Sequence, residues 1–138
     1  MGFLADTTAI VHLLRDRSGL LGPRYDALVA GHDVFLSGVT EFELLKGARD
    51  DNEWRRLLAL LAGERIIDCE QHHWLSAARM IFDLRRLGVT LKNPIDALIA
   101  QVALEAKLTI IHDDRDFELI ASVSPLTLAR FGAEGSNP

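Results

Sequence analysis

Cysteine is nearly absent from this 138-residue chain: Cys69 stands alone. That excludes a disulfide within the chain and a cysteine-based metal site, and it leads us to expect a cytoplasmic protein. Long apolar runs are missing as well. None approaches the ~18 residues that cross a bilayer, so no membrane association is expected. The opening stretch MGFLADTTAI has no basic segment and meets Asp6 early, which is unlike a secretory signal. Positive charge is scarce: 15 Lys and Arg stand against 20 Asp and Glu, a net charge of −5. This is the wrong sign for binding nucleic acid by bulk electrostatics. Any such role needs local basic patches or a bound cation that reverses the sign. The basic clusters are Arg15/Arg17, Arg55/Arg56 and Arg85/Arg86 with Lys92, each readable simply as a solvated helix face.

What is present suits one α/β domain. Hydrophobic residues make up 49% of the chain, enough for a core at this length. Short apolar runs at 2–5, 34–36, 65–68, 108–111 and 126–129 read as strands. Helical spacing occupies 7–14, 39–48, 52–62, 71–87, 95–106 and 115–121. Trp54, Leu57, Leu58 and Leu61 recur at i, i+3, i+4 and i+7, and Gly88 ends the longest helix. The helix at 95–106 is apolar nearly all round, which predicts burial. Strands alternating with helices imply a parallel sheet between helical layers. In such sheets, sites form beyond the carboxyl ends of the strands. One domain is expected over residues 1–131, with 132–138 as a flexible C-terminal tail.

That rule gathers acids. Asp6, Asp114 and the neighbourhood of Glu43 follow predicted strands, and Asp96 opens a helix able to enter the same crevice. Each has a plainer reading. Asp6 fits an N-cap. Thr40 and Glu43 fit a capping box, with Thr40 as the cap. Asp96 suits a helix dipole, and Asp113 or Asp114 could cap the last helix. Taken together, the plain readings put several like charges in one crevice, where a helix N-terminus offers only ~0.5 positive charge. A divalent cation offsets the repulsion better, and hard oxygen ligands favour Mg²⁺ or Mn²⁺. Phosphodiester hydrolysis is the chemistry suggested.

Four stretches resemble the PIN-domain ribonucleases of the VapC type, the toxin half of type II toxin–antitoxin pairs. They are LADTTAIVHLL, TEFELLKGA, NPIDALIAQVAL and LTIIHDDRDFELIA, in that order. The resemblance spans about residues 2–131. It implies a PIN-like parallel sheet flanked by helices, with Asp6, Glu43, Asp96 and Asp114 as catalytic metal ligands. Asp116 would be an auxiliary acid and Thr8 the hydroxyl beside Asp6. It further implies an endoribonuclease that hydrolyses RNA with a metal-activated water, a homodimer, and an antitoxin protein that silences it. Arg15 or Arg115 would guide the RNA backbone. Two alternatives stand beside this: a PIN-fold binding module with weak turnover, and a metal-dependent nuclease or phosphatase with a non-RNA substrate.

His112 departs from the family, which usually has Thr, Ser or Asn two residues before the closing acid. It is expected to face the acids and bond to Asp114 or a bound water, with its pKa raised. Asp113 should be solvated and point away from the crevice. His72 and His73, adjacent and about 100° apart on a helix, read as surface residues unable to share a metal. His12 reads as a packing or interface residue and Cys69 as small and buried. Trp54 and Trp74 are expected in the core, with a dimer or antitoxin contact as the alternative.

Overall fold

A computed structural model describes residues 2–132; most of the expected tail, residues 133–138, lies outside the described residues. Twelve elements run in the order β1 (Gly2–Ala5), α1 (Thr7–Arg15), α2 (Leu21–Val29), β2 (Asp33–Ser37), α3 (Gly38–Lys46), α4 (Asp51–Ala62), β3 (Arg65–Ile67), α5 (Gln71–Arg86), α6 (Ile95–Ala106), β4 (Thr109–His112), α7 (Arg115–Ala121) and β5 (Leu128–Arg130). The five strands form one sheet in the order β3-β2-β1-β4-β5, and every pairing is parallel. The chain leaves β1 toward one edge and returns through β4 to the other. The switch point therefore lies between β1 and β4, where an open α/β sheet forms its crevice.

The main core packs α6 against the sheet and α5. Ala97, Leu98, Ile99, Ala100, Val102 and Ala103 are buried with Leu4, Ile110 and Phe117. The apolar circumference of α6 thus does what its sequence predicts. Gly88 takes φ +82° just after α5, and the Val89 N–H donates to the Leu84 carbonyl, a glycine-terminated stop of the expected kind.

The structure departs from the sequence reading in four places. Helix α2 was not expected, because Gly22 and Pro23 look like breakers; within a first turn, proline costs little. Asp16 organises the approach to it, accepting from the Ser18 hydroxyl and from the Leu21 N–H. The cap of α3 is Ser37, whose hydroxyl accepts the Thr40 N–H; Thr40 is not the cap but lies inside the first turn, fully buried. Strand β5 is shifted to Leu128–Arg130. Trp54 and Trp74 are 43% and 51% exposed rather than in the core. No helix among the described residues is long and apolar enough to cross a membrane.

Candidate metal centre

Helix starts aim the acids. β1 ends at Ala5, and Asp6 caps α1, its Oδ2 accepting from the Thr8 N–H (3.1 Å) and the Thr8 hydroxyl (2.8 Å). The same Thr8 oxygen accepts the Asp113 N–H at 2.9 Å, so one hydroxyl couples the ends of β1 and β4 across the switch point. The Asp6 N–H also donates to the Ile111 carbonyl. Asp114 caps α7, accepting the Asp116 N–H at 2.9 Å. Asp96 sits in the first turn of α6, buried. The plain readings of Asp6 and Asp114 as caps are correct, and they hold alongside membership of the cluster.

Asp96, Asp114 and Asp116 each offer a carboxylate oxygen within 4.8 Å of the others. Oδ2 of Asp96 is buried and has no hydrogen-bond partner among the described residues. Burial is the largest cause pushing the Asp96 carboxyl up to about 9; the charges of Asp6, Asp114 and Asp116 add to it. Burial likewise raises Asp6 to about 6, against the opposing bonds from Thr8 and with a smaller push from Glu43. Like charges and a bare buried oxygen are the environment a hard cation relieves, so the donor set fits Mg²⁺ or Mn²⁺.

Glu43 comes from the second turn of α3 and is held from across the crevice. The Thr7 hydroxyl donates to its Oε1 at 2.6 Å, and Thr7 Oγ1 lies 3.2 Å from that of Thr40. Thr7 was missed by the sequence reading; its only signal is the doubled Thr7-Thr8 after Asp6. Glu43 and Asp6 lie outside the tight carboxylate triad and flank it. Asp116 is in the triad, yet both its oxygens accept backbone N–H groups, from Lys92 (3.1 Å) and Asn93 (2.8 Å). It therefore anchors the loop that leads into α6 and so aims Asp96.

Several expectations need correcting. His112 is buried, and its Nδ1 accepts the Asp114 backbone N–H at 3.0 Å. It bonds to the backbone of Asp114, not to the carboxylate. Burial lowers its pKa rather than raising it. Thr, Ser and Asn side chains can accept the N–H two residues ahead in the same way, so His112 stands in for their acceptor. Asp113 does point away but is not solvated: it accepts from His12 Nε2 at 2.7 Å and Arg130 Nε at 3.2 Å. His12 is thus the partner of Asp113. Cys69 is only partly buried. His73 is buried, not at the surface, and Nε2 of both His72 and His73 meets the carboxylate of Glu105, at 2.6 and 2.7 Å. Arg15 and Arg115 are exposed and make no ion pair among the described residues.

The sequence pattern of the PIN domain family matches residues 3–123. A VapC ribonuclease of Mycobacterium bovis is 30% identical over 131 residues, covering 93% of this chain and 98% of that protein. Ribonuclease VapC51 of Mycobacterium tuberculosis is 29% identical over 125 residues, covering 88% and 87%. Among solved structures, VapBC2 from Rickettsia felis, bound to a fragment of its promoter DNA, matches with a TM-score of 0.78 at 18% identity over 95% of this chain and 99% of that one. VapBC-1 from nontypeable Haemophilus influenzae matches at 0.76 and 22% identity, over 94% and 98%. At these identities the structural matches establish the fold.

Proposed function

Because this chain belongs to the PIN domain family, among the VapC ribonucleases, we propose that it is a divalent-metal-dependent endoribonuclease and the toxin of a toxin–antitoxin pair. The observation that carries the metal dependence is the bare, buried Oδ2 of Asp96 among like charges. Asp6, Asp96 and Asp114 would hold Mg²⁺ or Mn²⁺, with Glu43 completing the set from α3 and Asp116 aiming the loop behind Asp96. A cation held there supplies charge neutralisation for a phosphodiester and a lowered pKa for bound water.

The chain's own residues prepare for this. Thr8 holds Asp6 by two bonds to Oδ2. Thr7 fixes Glu43. Asp96 keeps its proton near neutral pH while no cation is bound, and cation binding releases that proton. His112, occupied by the Asp114 N–H, does not compete for the cation. This favours a working enzyme over a catalytically weak binding module. RNA is the substrate class we assign, with Arg115 and Arg15 available to phosphates. A homodimer and a cognate antitoxin belong to the same reading; the antitoxin is supported by the toxin–antitoxin complexes among the structural matches.

The test is cleavage of mixed RNA with Mn²⁺ and with EDTA. We expect cleavage only with the metal. Cleavage of single-stranded DNA but not RNA sinks the substrate assignment, and undiminished activity in EDTA sinks the metal.

A further inference from the structure

Beside the acids lies a cavity of about 350 Å³, walled by Val39, Phe42, Cys69, Trp74 and Ile95. Glu43 is its one charged wall among the described residues. We propose that this cavity is a nucleobase subsite, in which a base adjoining the cleaved phosphodiester stacks against Phe42 and Trp74. The proposal rests on the ribonuclease reading above.

Three observations carry it. The first is continuity with the acids. Glu43 belongs both to this wall and to the acidic set, and Ile95 directly precedes Asp96. A strand with a phosphate at the acids therefore has an adjoining base within reach of the cavity. The second is the aromatic pair. Phe42 on α3 and Trp74 on α5 come from different helices and meet at one cavity, yet they are 63% and 51% exposed. Neither is needed there to fill the core, and an aromatic-lined hollow is how proteins hold the splayed bases of single-stranded RNA. The third is charge. The chain is net −5 and no cationic residue lines the cavity among the described residues, so a base held there needs contacts that do not depend on net charge. Stacking on an aromatic face is such a contact. A second copy of this chain is the competing occupant, and the experiment separates the two.

An oligoribonucleotide is taken from the cleavage map of mixed RNA in Mn²⁺, and its kinetics are measured with wild type, Phe42→Ala and Phe42→Trp. Phe42→Ala is expected to raise KM by about 5- to 150-fold, the range that loss of one stacked base gives. Phe42→Trp is expected to keep it near the wild-type value. A substrate with an abasic residue beside the cleaved bond should bind wild type more weakly by a similar factor, and Phe42→Ala no more weakly than the intact substrate. With Trp54→Phe in an Asp114→Asn background, Trp74 is the sole tryptophan, and RNA should quench its fluorescence. Abasic and Phe42→Ala losses that multiply overturn the subsite. So does an unchanged KM accompanied by a shift of the monomer–dimer equilibrium in sedimentation, which assigns the cavity to a second copy. Absence of RNA cleavage by wild type overturns the ribonuclease reading, and this proposal with it; failure of the subsite alone leaves that reading standing.

Discussion

Among the described residues, two clusters bring three metal-capable side chains together within 4.8 Å: Asp96, Asp114 and Asp116 in the crevice, and His72, His73 and Glu105 between α5 and α6. They differ in how their lone pairs are used. In the second, His73 Nδ1 accepts the Glu70 N–H at 3.0 Å. Its proton must then sit on Nε2, where it is donated to Glu105. A metal at that nitrogen would have to displace the proton and break the helix cap. Opposite partners satisfy each other: desolvation is the largest single influence on the Glu105 carboxyl and raises it, but the two histidine bonds together hold it below its ordinary range. In the crevice, the charges are alike and the Asp96 Oδ2 is left bare. A high density of ligand-type residues is common to both, so unsatisfied valence is what separates a candidate site from a structural clasp between helices.

The largest expected break in that contrast is Asp96→Asn. Cleavage should fall by on the order of 10²–10³-fold, and the rise in melting temperature that Mn²⁺ gives wild type should vanish. Asp114→Asn should match it in cleavage. A melting temperature that still rises with Mn²⁺ in Asp96→Asn would put the cation elsewhere.

Asp116→Asn tests whether a triad member acts mainly through the loop. An amide nitrogen cannot accept the Lys92 or Asn93 N–H. Mn²⁺ affinity should drop about 10–100-fold, as for other residues that orient ligands, with cleavage restored at high Mn²⁺. Loss that no Mn²⁺ concentration restores would make Asp116 a direct ligand.

The clasp is broken by His73→Ala. It removes a buried ring and the acceptor for the Glu70 N–H, and should cost about 2–3 kcal/mol in urea unfolding. The Mn²⁺ response and specific activity of the folded protein should stay within about twofold, since His73 is not one of the crevice acids. Saturable Zn²⁺ or Ni²⁺ binding lost in this variant would show that the clasp is a metal site after all.

The last contrast is a difference in sign with pH. Without metal, Asp96 and Asp6 have carboxyls raised from 3.8 to about 9 and about 6. Their contribution to stability is full below 3.8 and is lost as pH rises through those values. Glu105 is lowered from 4.5, so its contribution is present above 4.5 and lost as pH falls below it. Melting curves in EDTA should therefore show Asp96→Asn gaining on wild type as pH rises from 6 toward 9. Glu105→Gln should fall behind wild type at neutral pH and converge with it in acid. Parallel curves for Asp96→Asn and wild type would mean that Asp96 is not raised.

Much of the fold was legible because it is written in short-range patterns. The short apolar runs and the 3.6-residue periods survive in β1, β2, β4, α4, α5 and α6. Helix α2 was not legible, because its Leu-Gly-Pro start carries turn residues that a first turn tolerates. The strand-end rule pointed to Asp6 and to the Asp113–Asp114 pair, the start of α6 pointed to Asp96, and the family resemblance chose Asp114 and Glu43. The contacts of Asp113 and His112 could not be read. Their partners are His12, Arg130 and a backbone N–H whose position depends on how the β4–α7 turn closes.

The sequence by itself determined the order of strands and helices, the apolar circumference of α6, and the acids that start α1, α6 and α7. These follow from local backbone geometry and from side chains within one helical turn. Only the tertiary structure decided which polar atoms are satisfied. Thr8 meets the Asp113 N–H across 105 residues, and Asp116 meets Lys92 across 24. A hydrogen bond requires donor and acceptor within about 3 Å, so whether an oxygen is used or left bare depends on packing between distant segments. The bare oxygen of Asp96 is a product of that packing, since its neighbours in sequence are apolar and offer it nothing.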